Sequence, residues 1–274
     1  MGKKMRLAYS FVIGAALLAP VPVVAQQYDV QGVASVDILP GYRTAKGTHM
    51  AALRIRLKDG WKTYWRAPGG NGIPPQFRWG GSKNLKAVAF HWPAPKVFVK
   101  DGIQTIGFKH ELVLPIEFMA ANDGQKITLS GEIDFGVCSD VCIPASASFR
   151  AELPRDQPQN RKAIRAALAA GPGSARQGGV KSARCDIRPT DDGFTISSVV
   201  EMKQTPAAAP VTVIEYAHDD VWVDVGATSA KGRNLNTKAE LYSFGDTPFA
   251  LDRSRLRLTV FNGNKVTEIK GCAG

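Results

Sequence analysis

Hydrophobic and polar residues alternate along most of this chain with a period of two. That period marks strands with one face buried and the other in water. Residues 28–39, YDVQGVASVDIL, read this way, and residues 51–57, AALRIRL, alternate cleanly. A turn signal at Asp59-Gly60 follows. After it come Trp61, Tyr64 and Trp65, aromatics that suit a pleated face. Residues 67–76, APGGNGIPPQ, hold three glycines and three prolines and predict an irregular loop. Short strands are expected at residues 77–79, 88–92, 111–118 and 126–135, with residues 96–102 as a further loop. Short strands at close intervals, without a helical period, predict an antiparallel sandwich.

From Pro154 the pattern changes. Residues 160–170 are rich in Ala, Arg, Lys and Leu, with Ile164 and Leu168 four apart on one helical face. A short amphipathic helix is expected there, opened by a capping box of Asp156 and Gln159 and stopped by Gly171-Pro172-Gly173. Residues 174–179 read as a flexible join. The strand pattern then resumes, with hairpin signals at Asp191-Asp192-Gly193 and Asn262-Gly263-Asn264. The expectation is a mainly β protein: a β-sandwich over residues 26–153, a helix and linker over 154–180, and a second, smaller β-sandwich over 181–274.

The amino terminus sets the address. Lys3, Lys4 and Arg6 precede an apolar run over residues 7–24, with Val23 and Ala25 as the small-residue cleavage pattern. This predicts a secretory signal peptide over residues 1–25. No other stretch approaches the ~20 apolar residues that span a bilayer, so a soluble, exported product without stable membrane insertion is expected. The formal charge of +11 falls to +8 once those three cations are removed. The remaining positive residues are scattered. They read as solvation and weak attraction to acidic partners, not as a nucleic-acid site.

Export into an oxidising compartment permits the four cysteines to be read as disulfides. Four cysteines allow three pairings, and spacing favours Cys138–Cys142 and Cys185–Cys272. The second pair reads as a staple for a small domain, at roughly 4–5 kcal/mol in the chain-entropy account. The first pair sits in GEIDFGVCSDVCIPASASF, residues 131–149. A strand is expected to lead into Cys138, a tight Ser139-Asp140-Val141 loop to follow, and a return segment to start at Cys142. Pro144 lacks an N–H and is expected to end regular pairing beside Cys142, opening that sulfur. Spacing alone leaves open a structural bridge and an exchangeable one, since strained or exposed disulfides are the labile kind. Asp134 and Asp140 are expected to oppose thiolate formation, with no lysine evident beside either sulfur. No paired Cys or His cluster exists, so no metal or other cofactor is expected, and copper handling finds no Met or His cluster to support it.

Four segments together resemble the DsbD N-terminal domain family. They are Asp59-Gly60-Trp61-Lys62-Thr63-Tyr64-Trp65-Arg66-Ala67-Pro68-Gly69, then Gly72-Ile73-Pro74-Pro75, then Gly107-Phe108 with Leu114-Pro115, and last residues 136–144, GVCSDVCIP. They stand in the family order over about residues 28–150. The tail is similar to the second β-domain of bacterial homologues related to the suppressor-of-copper-sensitivity proteins. The resemblance implies an immunoglobulin-like sandwich in the periplasm that works in thiol:disulfide interchange. Its partners would be a membrane-embedded thiol electron carrier and periplasmic thioredoxin-like proteins. It further implies that Cys142 attacks the partner, that Cys138 resolves the mixed disulfide, and that an aromatic on a cap loop shields the pair. The matching segment is residues 96–102, with Phe98 as the lid. The three-residue spacer is shorter than in the enterobacterial reductase, so redox properties do not carry over. The 274 residues hold no membrane-embedded or thioredoxin segment, so transfer across a membrane is expected to need a partner. The competing expectation is a non-catalytic binding or chaperone-like sandwich whose disulfides are permanently closed.

Overall fold

The computed structural model describes residues 28–30, 32–70, 72–154, 158–218, 221–243 and 250–274. The signal peptide expected over residues 1–25, and Asp156, lie outside them. In chain order the first half runs β1 (Tyr28–Val30), β2 (Ala34–Arg43), β3 (His49–Leu57), β4 (Lys62–Tyr64), β5 (Gln76–Arg78) and β6 (Leu85–Phe90). It continues with β7 (Lys96–Lys100), β8 (Ile103–Lys109), β9 (Glu111–Ala120), β10 (Ile127–Cys138) and β11 (Cys142–Leu153). These form two antiparallel sheets, ordered β1-β2-β3-β9-β6 and β11-β10-β4-β8-β7, with β5 also pairing β10.

The period-two signal is clearest in β11. Ala145, Ala147, Phe149, Ala151 and Leu153 are buried, and the residues between them are exposed. Phe149, Phe135 and Leu129 share one buried cluster with Leu53, Leu114 and Phe118 of the facing sheet. Strand β3 is largely buried along its whole length because its outer face is also covered. Helix α1 (Arg161–Ala169) lays Ile164 against Leu39, Met50 and Ala52, with Leu168 at the margin. The helix starts behind Asn160, which adopts a left-handed φ of 52° and makes no side-chain cap bond. The expected capping box therefore does not supply the helix start.

The second half holds β12 (Gly173–Ser174), β13 (Val180–Thr190), β14 (Gly193–Met202), β15 (Val211–Tyr216), β16 (Val221–Lys231), β17 (Asn234–Ser243), β18 (Leu256–Asn262) and β19 (Lys265–Lys270). Its sheets run β12-β19-β18-β15 and β13-β14-β17-β16. Ile196, Val200, Leu235, Leu241, Leu258 and Val260 form its core. Cys185 in β13 is bonded to Cys272, just past β19, so the bridge links the two sheets. Beside it the Cys185 N–H donates to the Ala273 carbonyl at 2.8 Å. The protein is thus mainly β, two sandwiches with one short helix between them, as expected.

Three local expectations are corrected. Residues 96–100 are strand β7, not loop, because Asp101 and Gly102 both take positive φ and close a two-residue hairpin onto β8. Residues 174–179 are not slack. Ser174 runs parallel to Glu268, and Gln177 Oε1 accepts bonds from the Ser174 N–H and hydroxyl. Pro144 does not end pairing. It faces Gly136, and the ladder continues unbroken to Leu153. A residue without an N–H is tolerated because β11 is an edge strand with only one neighbour.

Candidate functional site

Cys138 closes β10 and Cys142 opens β11, and the two face each other as the last pair of the hairpin ladder. They are disulfide-bonded, with Cα atoms 4.0 Å apart. The Ser139 N–H donates to the Val141 carbonyl at 3.2 Å and closes the loop. Sheet order makes the two sulfurs unequal. Strand β10 is central, and at Cys138 it is paired to β11 on one side and to Lys62 of β4 on the other. Cys138 is only 5 % exposed. Cys142, on the edge strand, is exposed. Its accessibility comes from facing outward on an edge strand, not from Pro144.

Tyr64 supplies the contact that the reading of the cysteines missed. Its hydroxyl lies 3.1 Å from Cys142 Sγ. The disulfide sulfur carries no proton, so the phenol is the donor, and burial pushes its pKa up. The ring fits only because two neighbours lack side chains. A Cβ on Gly136 would sit 2.7 Å from the Tyr64 ring, and one on Gly72 would sit 2.2 Å from Pro68 and 3.1 Å from the ring. Thr63, on the opposite face of β4, donates to the Gly136 carbonyl at 2.8 Å and fixes the strand. The run of aromatics after Asp59-Gly60 was the available signal, but sequence spacing does not connect Tyr64 to a sulfur 78 residues away.

The local field also differs from expectation. Lys62 stands opposite Cys138 and donates to Thr105 Oγ1 at 2.8 Å. Its pKa is pushed down by burial first, then by the charges of Lys109 and Lys100. Three cations therefore gather at this end of the sheet, where none was foreseen. The two carboxylates are each paired with a cation. Asp134 is held below the usual range by hydrogen bonds from Arg78 and Ser146, and Asp140 by Lys100, whose Nζ is 2.7 Å away. Long-range strand order, invisible in local spacing, brings the lysines in.

Phe98, on β7, lies over this group. Lys62 Nζ is 5.5 Å and Lys109 Nζ 5.2 Å from its ring centre. The ring's contacts are thus with Lys62, which stands opposite Cys138, and with Lys109 on the next strand, within reach of cation–π attraction. Val99 and Ile103 on the same hairpin, and Val141 between the cysteines, are exposed apolar residues. The Lys100–Asp140 contact ties the two hairpin tips together. Cys185 and Cys272 are in the other sandwich. Among the described residues no cluster of three or more His, Cys, Asp or Glu is placed to hold a metal ion. None of the described helices is long and apolar enough to cross a membrane.

Residues 35–154 match the family described as thiol:disulfide interchange protein DsbD, N-terminal. The resemblance expected from the four segments is therefore present over the first sandwich. The chain is also similar in structure to the N-terminal periplasmic domain of ScsB from Proteus mirabilis. That likeness has a TM-score of 0.64 and 23 % identity, and covers 88 % of this chain and 94 % of that one. At that identity it speaks to the fold. No curated protein matches the chain.

Proposed function

We propose, from the DsbD N-terminal segment at residues 35–154, that this chain passes electrons by thiol–disulfide exchange through Cys138 and Cys142. The observation that carries the proposal is the inequality of the two sulfurs. Cys142 is exposed and accepts a hydrogen bond from Tyr64, and Cys138 is buried behind it. In the reduced protein the Cys142 thiolate attacks one sulfur of a partner disulfide. A mixed disulfide forms, and the partner's other sulfur leaves with the electron pair and takes up a proton. Cys138, losing its own proton, then attacks Cys142 Sγ. The Cys138–Cys142 bond forms, and the partner leaves as a dithiol. The partner is reduced by two electrons and this chain is oxidised by two.

The donor hydrogen bond favours the thiolate that the first step needs, and Lys62, opposite Cys138, adds positive charge at this end of the sheet. Phe98 serves as the lid over the lysine-lined side of the pair. Electrons are restored by a membrane-embedded thiol carrier and handed to thioredoxin-like proteins, and the setting is the periplasm. The apolar leader at residues 1–25 supports that address, as does the periplasmic domain to which the fold is similar. Residues 26–153 are the exchange domain, 154–180 the helix and linker, and 181–274 the second β domain.

The test is mixed-disulfide trapping on non-reducing gels. Cys138→Ser leaves Cys142 with no resolving thiol and should trap a thioredoxin-like partner. Cys142→Ser should trap little. If Cys138 alone traps partners, the roles are reversed. If neither does and both variants are folded, the chain is a binding sandwich with structural bridges only.

A further inference from the structure

We propose that the second sandwich positions the exchange site, through Arg66. This inference rests on the exchange reading above and gives the second domain a part in it. Five successive residues carry the connection. Lys62 pairs with Cys138, Thr63 bonds Gly136, and Tyr64 bonds the Cys142 sulfur. Trp65 is fully buried, with its ring edge-on to Phe261 at 6.1 Å. Arg66 then reaches into the second sandwich.

The grip of Arg66 is specific. Its guanidinium donates to both carboxylate oxygens of Glu215, at 2.7 and 3.0 Å, and to Glu268 at 3.0 Å. It also lies 4.4 Å over the Trp65 ring. Planar bidentate pairing of this kind fixes orientation as well as distance. Glu215 belongs to β15 and Glu268 to β19, both in the second sandwich. Val213 and Phe261, also from that sandwich, are buried in the core of the first.

Strand β4 is only three residues long, and beyond Thr63 and the buried Tyr64 and Trp65 its hold on the sheet is short. It pairs with β10 at two positions and with β8 at three. The segment that follows Arg66 returns to wall in the Tyr64 ring at Gly72. Among the described residues its backbone ties are the Gly72 N–H to the Gly69 carbonyl and the Ile106 N–H to the Pro68 carbonyl. Arg66 therefore anchors both the end of the strand that bears Tyr64 and the start of the loop behind the ring. Arg66 touches neither sulfur and is a positioning residue. Its loss frees the phenol to move, and a hydrogen bond that stretches or swings out of line weakens steeply.

The experiment uses full-length protein carrying Cys138→Ser, in which Cys142 is a free thiol. The rate of alkylation by iodoacetamide is followed against pH. Arg66→Ala is expected to slow alkylation near neutral pH roughly tenfold and move the profile to higher pH, as loss of a charge-assisted hydrogen bond does. Tyr64→Phe should do the same, and the two together no more than either alone. If Arg66→Ala fails to fold, Glu215→Gln carries the test. In the parent protein, dithiothreitol should also reduce Cys138–Cys142 less completely once Arg66 is replaced. There the reagent's two thiols become its own ring disulfide and supply both electrons. An unchanged alkylation profile in a folded Arg66 variant, or additive effects with Tyr64→Phe, overturns the inference. A pair that dithiothreitol cannot open in the folded parent overturns the exchange reading instead.

Discussion

The Tyr64 hydroxyl and the Cys142 sulfur lie 3.1 Å apart, and since the disulfide sulfur has no proton the phenol is the donor. A disulfide sulfur is a weak acceptor and a thiolate a strong one, so this contact favours the reduced, ionised site. Tyr64→Phe keeps the ring and removes the donor. Alkylation of Cys142 in a Cys138→Ser background should slow about tenfold near neutral pH, from a hydrogen bond to charge of roughly 1.5–3 kcal/mol. Burial raises the Tyr64 pKa, so the native state retains this proton. The donor should persist below the unfolded value of about 10 and fail only as pH rises past the folded one.

Gly136 makes room for that ring. Gly136→Ala places a methyl 2.7 Å from Tyr64 and 2.8 Å from Ile73. The ring must shift, at a destabilisation of about 1–3 kcal/mol for overpacking. Urea unfolding should show the loss, and the Cys142 alkylation profile should move as in Tyr64→Phe.

Phe98→Ala tests the lid. Opening the space over Lys62 and Lys109 should speed alkylation of the reduced pair by small reagents. An unchanged rate in a folded variant would leave Phe98 as a packing residue.

The two disulfides should separate by chemistry. A mild dithiol should open Cys138–Cys142 first, with Cys185–Cys272 protected in its core. Replacing both Cys185 and Cys272 by Ala should lower stability by about 2–5 kcal/mol. The thiol chemistry of the first pair should be unchanged, as read by the urea midpoint and alkylation together.

His49 should make the fold acid-sensitive. It is buried, with Nε2 2.6 Å from the Pro40 carbonyl, and desolvation is the largest cause pushing its pKa down. Arg43 pushes the same way and the Pro40 bond opposes. Stability from the neutral ring is complete above the unfolded value of about 6.5 and is lost as pH falls through the lower folded value. The urea midpoint of a His49→Gln variant should lose that acid-side slope.

The fold and the cysteine hairpin were legible in sequence for a local reason. Alternation at residues 131–149 forces a strand, a tight loop and a return, which puts Cys138 opposite Cys142. What stayed hidden depends on strand order. Nothing near Cys142 says that β11 is an edge, so its exposure was assigned to Pro144. Lys62 and Tyr64 reach the cysteines only because β4 pairs β10 across more than seventy residues. Residues 96–102 read as loop, yet the alternation of KVFVK suits the strand it forms. The grip of Arg66 on Glu215 spans 149 residues and leaves no trace in local pattern.

The edge position of β11 has a further consequence, for self-association. A free strand edge is a template on which other chains add. Here the reactive sulfur needs that openness, and the same strand carries its own guard. Pro144, exposed two residues from Cys142, offers no N–H for an incoming strand to pair with. The Asp140 carboxylate and Lys100 ammonium stand at the tip as a charged gate. At its cysteine end the hairpin therefore presents a sulfur to a partner without also offering an unbroken edge to another copy of the protein.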